Sequence, residues 1–201
     1  MTRQSFSKAA LHKEVAQLKR YQQFLPSLDL KRQQLIGQRY KVAARVAELE
    51  QEIARQRQFV AENLPMMADQ RITLEGLVSV SAIEIGHENN AGVNLPVLKR
   101  LDIASKPYSP YAKPHWVDQA VAYVKRMLEL KIRLSVEQRR LEILQAAVKK
   151  VTQRVNFFDK IMIPRARQTI KKISIFLSDS ERAGVVRAKI TKQKRWKAPT
   201  V

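Results

Sequence analysis

Arg154-Val155-Asn156-Phe157-Phe158-Asp159-Lys160-Ile161-Met162-Ile163-Pro164-Arg165 lies inside a helical pattern over residues 141–177, and its reading decides the fold. Leu141, Leu144, Val148, Val151, Val155, Phe158 and Met162 are spaced alternately three and four apart. Helices with that spacing wind left-handedly about each other, because about 3.5 residues per turn keeps one apolar stripe facing a partner. A seam of this length needs a partner helix of similar length. The N-terminal part of the chain supplies one.

There, Ser5 or Ser7 is placed to cap a helix start. Leu11, Val15, Leu18, Gln22 and Leu25 form a first seam, with Gln22 a polar member. After Pro26 a second begins at Leu28 and runs through Arg32, Leu35, Arg39, Val42, Val46, Leu49, Ile53, Gln56 and Val60. Pro26 removes a backbone donor and clashes with the preceding turn, so a kink or short break with a reset of seam phase is expected. The other reading is two separate helices joined by a turn. Arg32, Arg39 and Gln56 cost stability in a seam, and snorkelling at its edge or fixing of register accounts for them. Leu64-Pro65 ends the segment, so residues 1–64 are expected to form an N-terminal coiled-coil helix with a kink near Pro26.

Residues 65–115 change character. Val78, Val80 and Ala82 alternate with Ser79 and Ser81, and Ile83 and Ile85 continue in the opposite phase, the mark of a bulge or strand end. Gly86-His87-Glu88-Asn89-Asn90-Ala91-Gly92 is a turn cluster, and Val93, Leu95 and Val97 resume the alternation. A β-hairpin over about residues 77–98 follows, with Pro96 on an edge. Pro107, Pro110 and Pro114, with Tyr108 and Tyr111 between them, exclude regular structure before Trp116. A second long helix is expected over residues 116–178. Asp118 lies in its first turn, Pro164 predicts a kink, and the pattern loosens past it to Ala166, Ile170, Ile173 and Leu177. Ser178-Asp179-Ser180 marks a break before a basic tail over residues 179–201, in which Arg187, Lys189, Lys192, Lys194, Arg195 and Lys197 are candidates for contact with an acidic surface.

The fold class is therefore mainly α: a long antiparallel two-helix coiled coil of N- and C-terminal helices, with a small middle section containing a β-hairpin. Both termini are expected at one end and residues 65–115 at the other. Two long helices have no core but their seams, so such a body depends on partners.

The net charge of +20 is unevenly placed. Residues 1–64 carry +6, residues 65–115 carry none and residues 116–201 carry +14. Nucleic acid and an acidic protein or membrane surface both answer such a charge. With no Cys in the chain, disulfides and thiolate metal sites are excluded. No window is apolar enough to span a bilayer, and the N-terminus has no signal-peptide core, which reads as a soluble intracellular chain. His12, His87 and His115 are scattered, the carboxylates lie along helix faces, and Gly86 to Gly92 lacks the spacing of a phosphate loop. No catalytic, cofactor-binding or metal-ligating constellation is read. Trp116 and Trp196 lack the aromatic interleaving of a base-stacking surface.

Arg154-Val155-Asn156, followed after seven residues by Pro164-Arg165 with Ile163 before the proline, resembles the Arg-Val-Asn…Ile-Pro-Arg signature of the D subunit of V/A-type rotary ATPases. Leu28-Asp29-Leu30-Lys31-Arg32-Gln33-Gln34-Leu35 is similar to that family's Leu/Lys-rich segment, and the long–short–long layout matches over roughly residues 8–195. Pro26 and the pair Phe157-Phe158 depart from the pattern. The resemblance implies a non-catalytic central-stalk rotor shaft, peripheral on the cytoplasmic face of the membrane, which couples ATP hydrolysis or synthesis to proton or sodium transport by rotation. Its implied partners are the small F subunit of the central stalk, the catalytic and non-catalytic ring subunits (A and B), and an adaptor of C/d type on the membrane ring. It implies no bound nucleotide and no cofactor. The alternative, drawn from charge alone, is a basic helical hairpin that binds nucleic acid or the ribosome.

Overall fold

The computed structural model describes residues 5–68, 76–108 and 113–197. Its elements are α1 (Lys8–Asn63), a 3-10 turn at Pro65–Ala68, strands β1 (Val78–Asn90) and β2 (Val93–Ser105), α2 (Trp116–Phe157), a π-helical turn (Phe158–Met162) and α3 (Ile163–Lys197). The chain divides into two compact units, one of Met1–Leu30 with Val151–Val201 and the other Lys31–Lys150. Pro110 and Tyr111 lie outside the described residues.

Ser7 caps α1, since the amide of Ala10 donates to its Oγ at 3.2 Å and that of Leu11 to its carbonyl at 3.0 Å. The helix then passes through Pro26 without interruption. Pro26 is exposed, and beside it Ser27 Oγ donates to the Phe24 carbonyl at 2.8 Å. The expected reset of the seam at this proline does not occur. Leu11, Glu14, Leu18, Tyr21, Leu25 and Leu28 are half-buried and already alternate three and four, in phase with Arg32, Leu35, Arg39 and onward to Val60. Val15, expected in the seam, is 45% exposed, and Gln22 faces solvent.

In the first unit, Phe6 stacks on Phe176 at 5.1 Å, Lys8 pairs with Glu181 at 3.0 Å and Tyr21 packs on Phe158 at 5.5 Å. Within α1, Lys8 meets Glu181 and Tyr21 meets Phe158, so the helices run antiparallel. In the second unit the same sense holds. Arg126 reaches Glu52 at 2.8 Å, and Phe59 meets Tyr123 at 5.4 Å. Leu64 joins Leu77, Trp116, Val117, Ala120 and Val121 in one buried cluster.

The second long helix is not uniform. The amide of Ile163 donates to the carbonyl of Phe158, five residues back, which widens one turn just before Pro164. The sequence requires this extra residue. Val155, Phe158 and Met162 keep the alternation, but Ala166, Ile170, Ile173 and Leu177 are one residue late for it. A π turn absorbs one residue, so Ile163, Ala166 and Ile173 are buried in continuity with Val151 and Val155. The turn that precedes Pro164 is thus a widened one. The break expected at Ser178-Asp179-Ser180 is absent, because α3 runs on to Lys197.

The hairpin is longer than expected and differently placed. Its strands run through Gly86–Asn90 and on to Ser105, and the turn is the two-residue loop Ala91-Gly92. Both loop residues have positive φ, 51° and 76°, the backbone that matches the right-handed twist of the strands. Ser81 on β1 and Lys99 on β2 have no opposite residue, which gives two bulges. Those bulges hid the strands' continuity from an alternation count. Instead of standing beyond the helix ends, the hairpin lies along the helices of the second unit. Lys125 Nζ donates to Ser105 Oγ at 3.0 Å, Arg140 meets Glu88 at 3.5 Å, and Lys31 Nζ lies 3.1 Å from where a Cβ on Gly92 would be. β2 is the inner strand, with Leu95 buried, and β1 the outer one.

Candidate functional site

Among the described residues the seams bury the long apolar stripes of the helices, so the candidate functional features are the helix pair and what it leaves exposed. Of the expected seam positions, Leu35, Val42, Val46 and Ile53 on α1 are buried, and Leu49 and Val60 half-buried. On the other helix Leu144, Val148, Val151 and Val155 are buried, while Leu141, Phe158 and Met162 are half-buried. Leu35 and Leu144 are each 0% exposed, worth about 1.5–3 kcal/mol apiece relative to exposure. Arg32, Arg39 and Gln56 are half-buried, as side chains with apolar stems and wet heads would be.

The signature residues divide by face. Val155 and Ile163 are buried and bracket the π turn, whereas Arg154, Asn156, Pro164 and Arg165 are exposed. Phe157, just before that turn, and Ile161 within it are also half-exposed. The widened turn therefore holds two residues in the seam and sets a basic and aromatic surface around them.

Beyond Glu181, the last acidic residue of the chain, every described side chain of α3 is exposed. Arg187, Lys189, Lys192, Lys194 and Arg195 project among Val185, Val186, Ile190 and Trp196, the last 87% exposed. Arg187 Nε is held to the Ala183 carbonyl at 3.2 Å. Lys197 closes the helix. Continuous helix, not loose tail, displays these charges.

Sequence reasoning missed Arg140. It is buried on α2 and donates to Glu137 at 2.9 Å and to Glu88 of β1 at 3.5 Å, so it ties the hairpin to the helix. Glu137 occupies a seam position between Leu134 and Leu141, which was the available signal. Around this tie, Arg45, Leu49, Val97, Lys99, Leu101 and Arg133 help line a cavity of about 490 Å³. Nearby on α2, the hydrogen bond to Glu52 raises the pKa of Arg126. At the start of α2, Tyr108 donates to Asp118, and that hydrogen bond, then burial and the carboxylate charge, raise the Tyr108 hydroxyl above its ordinary value.

His12, His87 and His115 are exposed and far apart in sequence, and among the described residues no group of His, Asp and Glu is arranged to hold a metal. No helix among them is long and apolar enough to cross a membrane.

The sequence profile of the ATP synthase D-subunit family matches residues 10–193. The V-type ATP synthase D subunit of Borreliella burgdorferi is 29% identical over 194 residues, covering 96% of this chain and 95% of that protein. The protein of the same name from Chlamydia trachomatis serovar L2 is 37% identical over 176 residues, 85% of each chain. That from Chlamydia felis is 33% identical over 196 residues, 94% of this chain and 91% of its own.

Proposed function

The chain belongs to the ATP synthase D-subunit family, and from that premise we propose that it is the rotor shaft in the central stalk of a V/A-type ATPase. The observation that carries this reading is the antiparallel pairing of unlike helix segments within each of the two units, within a family match spanning nearly the whole chain. A shaft transmits torque only if it resists bending and twisting, and a continuous main-chain ladder with a buried seam supplies that resistance. It also needs faces that differ around its axis, because a conformational equilibrium in a neighbour shifts only through differential contact.

In this reading the chain performs no chemistry itself. The catalytic and non-catalytic ring subunits (A and B) surround the part near the termini, the small F subunit grips the side of the shaft, and an adaptor of C/d type meets the other end at the membrane ring. The shaft lies on the cytoplasmic face and carries rotation between ATP turnover and proton or sodium movement. Arg187, Lys189, Lys192, Lys194, Arg195 and Lys197 supply long-range attraction to an acidic ring lining, a contact that salt screens.

The test is binding of the full chain to an isolated A/B ring at low and at high salt, beside a variant ending at Glu181. Affinity that falls steeply with salt, and a truncated variant that keeps its helical circular dichroism but binds weakly, are expected. Salt-independent binding removes the electrostatic part of the proposal. Failure to enter the ring, together with steeply salt-dependent binding to any polyanion, returns the chain to the nucleic-acid reading.

A further inference from the structure

β1 closes a two-stranded sheet, so one edge of this 13-residue strand has no strand partner among the described residues. Natural sheets guard such edges with Lys, Pro, bulges or shortness, because unpaired main-chain groups are a template for another strand. Ser81 provides one bulge near the start of β1. From Ala82 to Asn90 the strand contains no Lys, Arg or Pro, whereas β2 carries Pro96, Lys99 and Arg100. Along the same strand Ile83 and Ile85 remain 47% and 50% exposed. A two-stranded ribbon is also short of the strand number that gives a sheet stability of its own.

We propose that the outer edge of β1 is a docking site for an extended, basic and aliphatic segment of a partner protein, which adds as a third strand beside Ala82–Asn90. A helix does not satisfy a row of unpaired main-chain donors and acceptors, and a strand does. Charge sets the partner's composition. With His87 neutral, the charges of β1 are Glu84 and Glu88 alone, in a chain of net charge +20. Glu88 is engaged by Arg140, and the cross-strand neighbour of Glu84, Arg100, is drawn to Asp102 at 2.8 Å, which leaves Glu84 to meet an incoming Lys or Arg. A second copy is a poor occupant. It sets acidic strand against acidic strand, and each copy brings its +20. This inference stands independently of the shaft reading.

The experiment uses the full chain and two capped synthetic peptides of alternating valine and threonine, one with lysine and one with glutamate at its central polar positions. Binding is read by titration and by amide hydrogen exchange. The lysine peptide is expected to protect amides within Ala82–Asn90 and to bind about threefold or more tighter than the glutamate peptide, the size of one cross-strand charge contrast. Glu84→Lys should reverse that preference, and Ile83→Lys with Ile85→Lys should abolish both the binding and the protection. No protection of β1, or protection that Glu84→Lys leaves unchanged in preference, overturns the proposal. Sedimentation of the chain alone that shows self-association abolished by Ile83→Lys with Ile85→Lys overturns it in favour of a second copy. If the double variant loses its hairpin, the charge reversal at Glu84 decides alone.

Discussion

Two single-residue deletions, fifteen positions apart, test whether the π turn exists to keep the seam in phase. Removing Gln145, an exposed residue between Leu144 and Val148, turns the following helix by about 100° against α1 as far as the π turn. Lys149, Thr152 and Asn156 then take the seam places of Val148, Val151 and Val155, all three of which are buried. At about 1.5–3 kcal/mol for each valine, the loss is on the order of 5 kcal/mol. Removing Lys160, exposed and inside the π turn, displaces no buried side chain. Val155, Phe158, Ile163, Ala166, Ile170, Ile173 and Leu177 then fall at three-and-four spacing in an ordinary α-helix. Because Pro164 inside a regular helix costs about 3 kcal/mol, this deletion is made with Pro164→Ala and compared with Pro164→Ala alone. The expected difference is within about 1 kcal/mol. Urea unfolding followed by far-ultraviolet circular dichroism gives both numbers, provided the slopes agree. Equal costs for the two deletions would refute the phase argument.

Tyr21→Ala and Phe158→Ala, singly and together, should show a coupling of about 0.5–1.5 kcal/mol in a double-mutant cycle, while Gln22→Ala is near neutral; coupling at Gln22 instead would restore the other phase of α1. Arg140→Ala strands the largely buried Glu137 and should cost roughly 3 kcal/mol, with faster amide exchange in β1 and β2. An unchanged exchange rate in the hairpin would deny Arg140 its tying role. The raised pKa of Tyr108 means that its hydrogen bond to Asp118 stabilises the fold fully below the ordinary phenol value of 10.0 and that this contribution fades as pH rises through the folded pKa. Asp118→Asn should bring the phenolate absorbance of Tyr108 to lower pH, and a titration left in place would show that the partner is another group.

The two helices were legible because three-and-four spacing is imposed by pairing and by little else. Legibility failed where two phases fit nearby residues. Leu11, Val15, Leu18, Gln22 and Leu25 keep the spacing as well as Leu11, Glu14, Leu18, Tyr21 and Leu25 do, and hydropathy favours Val15 over Glu14. Carrying the phase back from Val60 selects the second set, and Tyr21 then meets Phe158. The slip between Met162 and Ala166 was visible as a loosening, but spacing alone does not separate a kink from a widened turn. Gly86 misled in the hairpin, where it reads as a turn residue. In the structure it lies in the strand beneath Lys99, whose Cε and Cδ occupy the space a Cβ would need, so the glycine there makes room for a lysine stem. Ser178-Asp179-Ser180 has modest helix propensity and no Gly or Pro, too weak to stop a helix already propagating. The expected surface residues of the final helix were identifiable from charge alone, but their display on continuous helix was not.

The hairpin lying along one side of the helices of Lys31–Lys150, β2 inward, has a mechanical corollary. A bare pair of helices has nearly the same outline when turned by half a revolution, whereas a pair with a ribbon strapped along one flank does not. Its cross-section is eccentric, like a cam on a spindle. A neighbour held at fixed distance from such a section feels a push once per revolution instead of twice, and angular position becomes unambiguous.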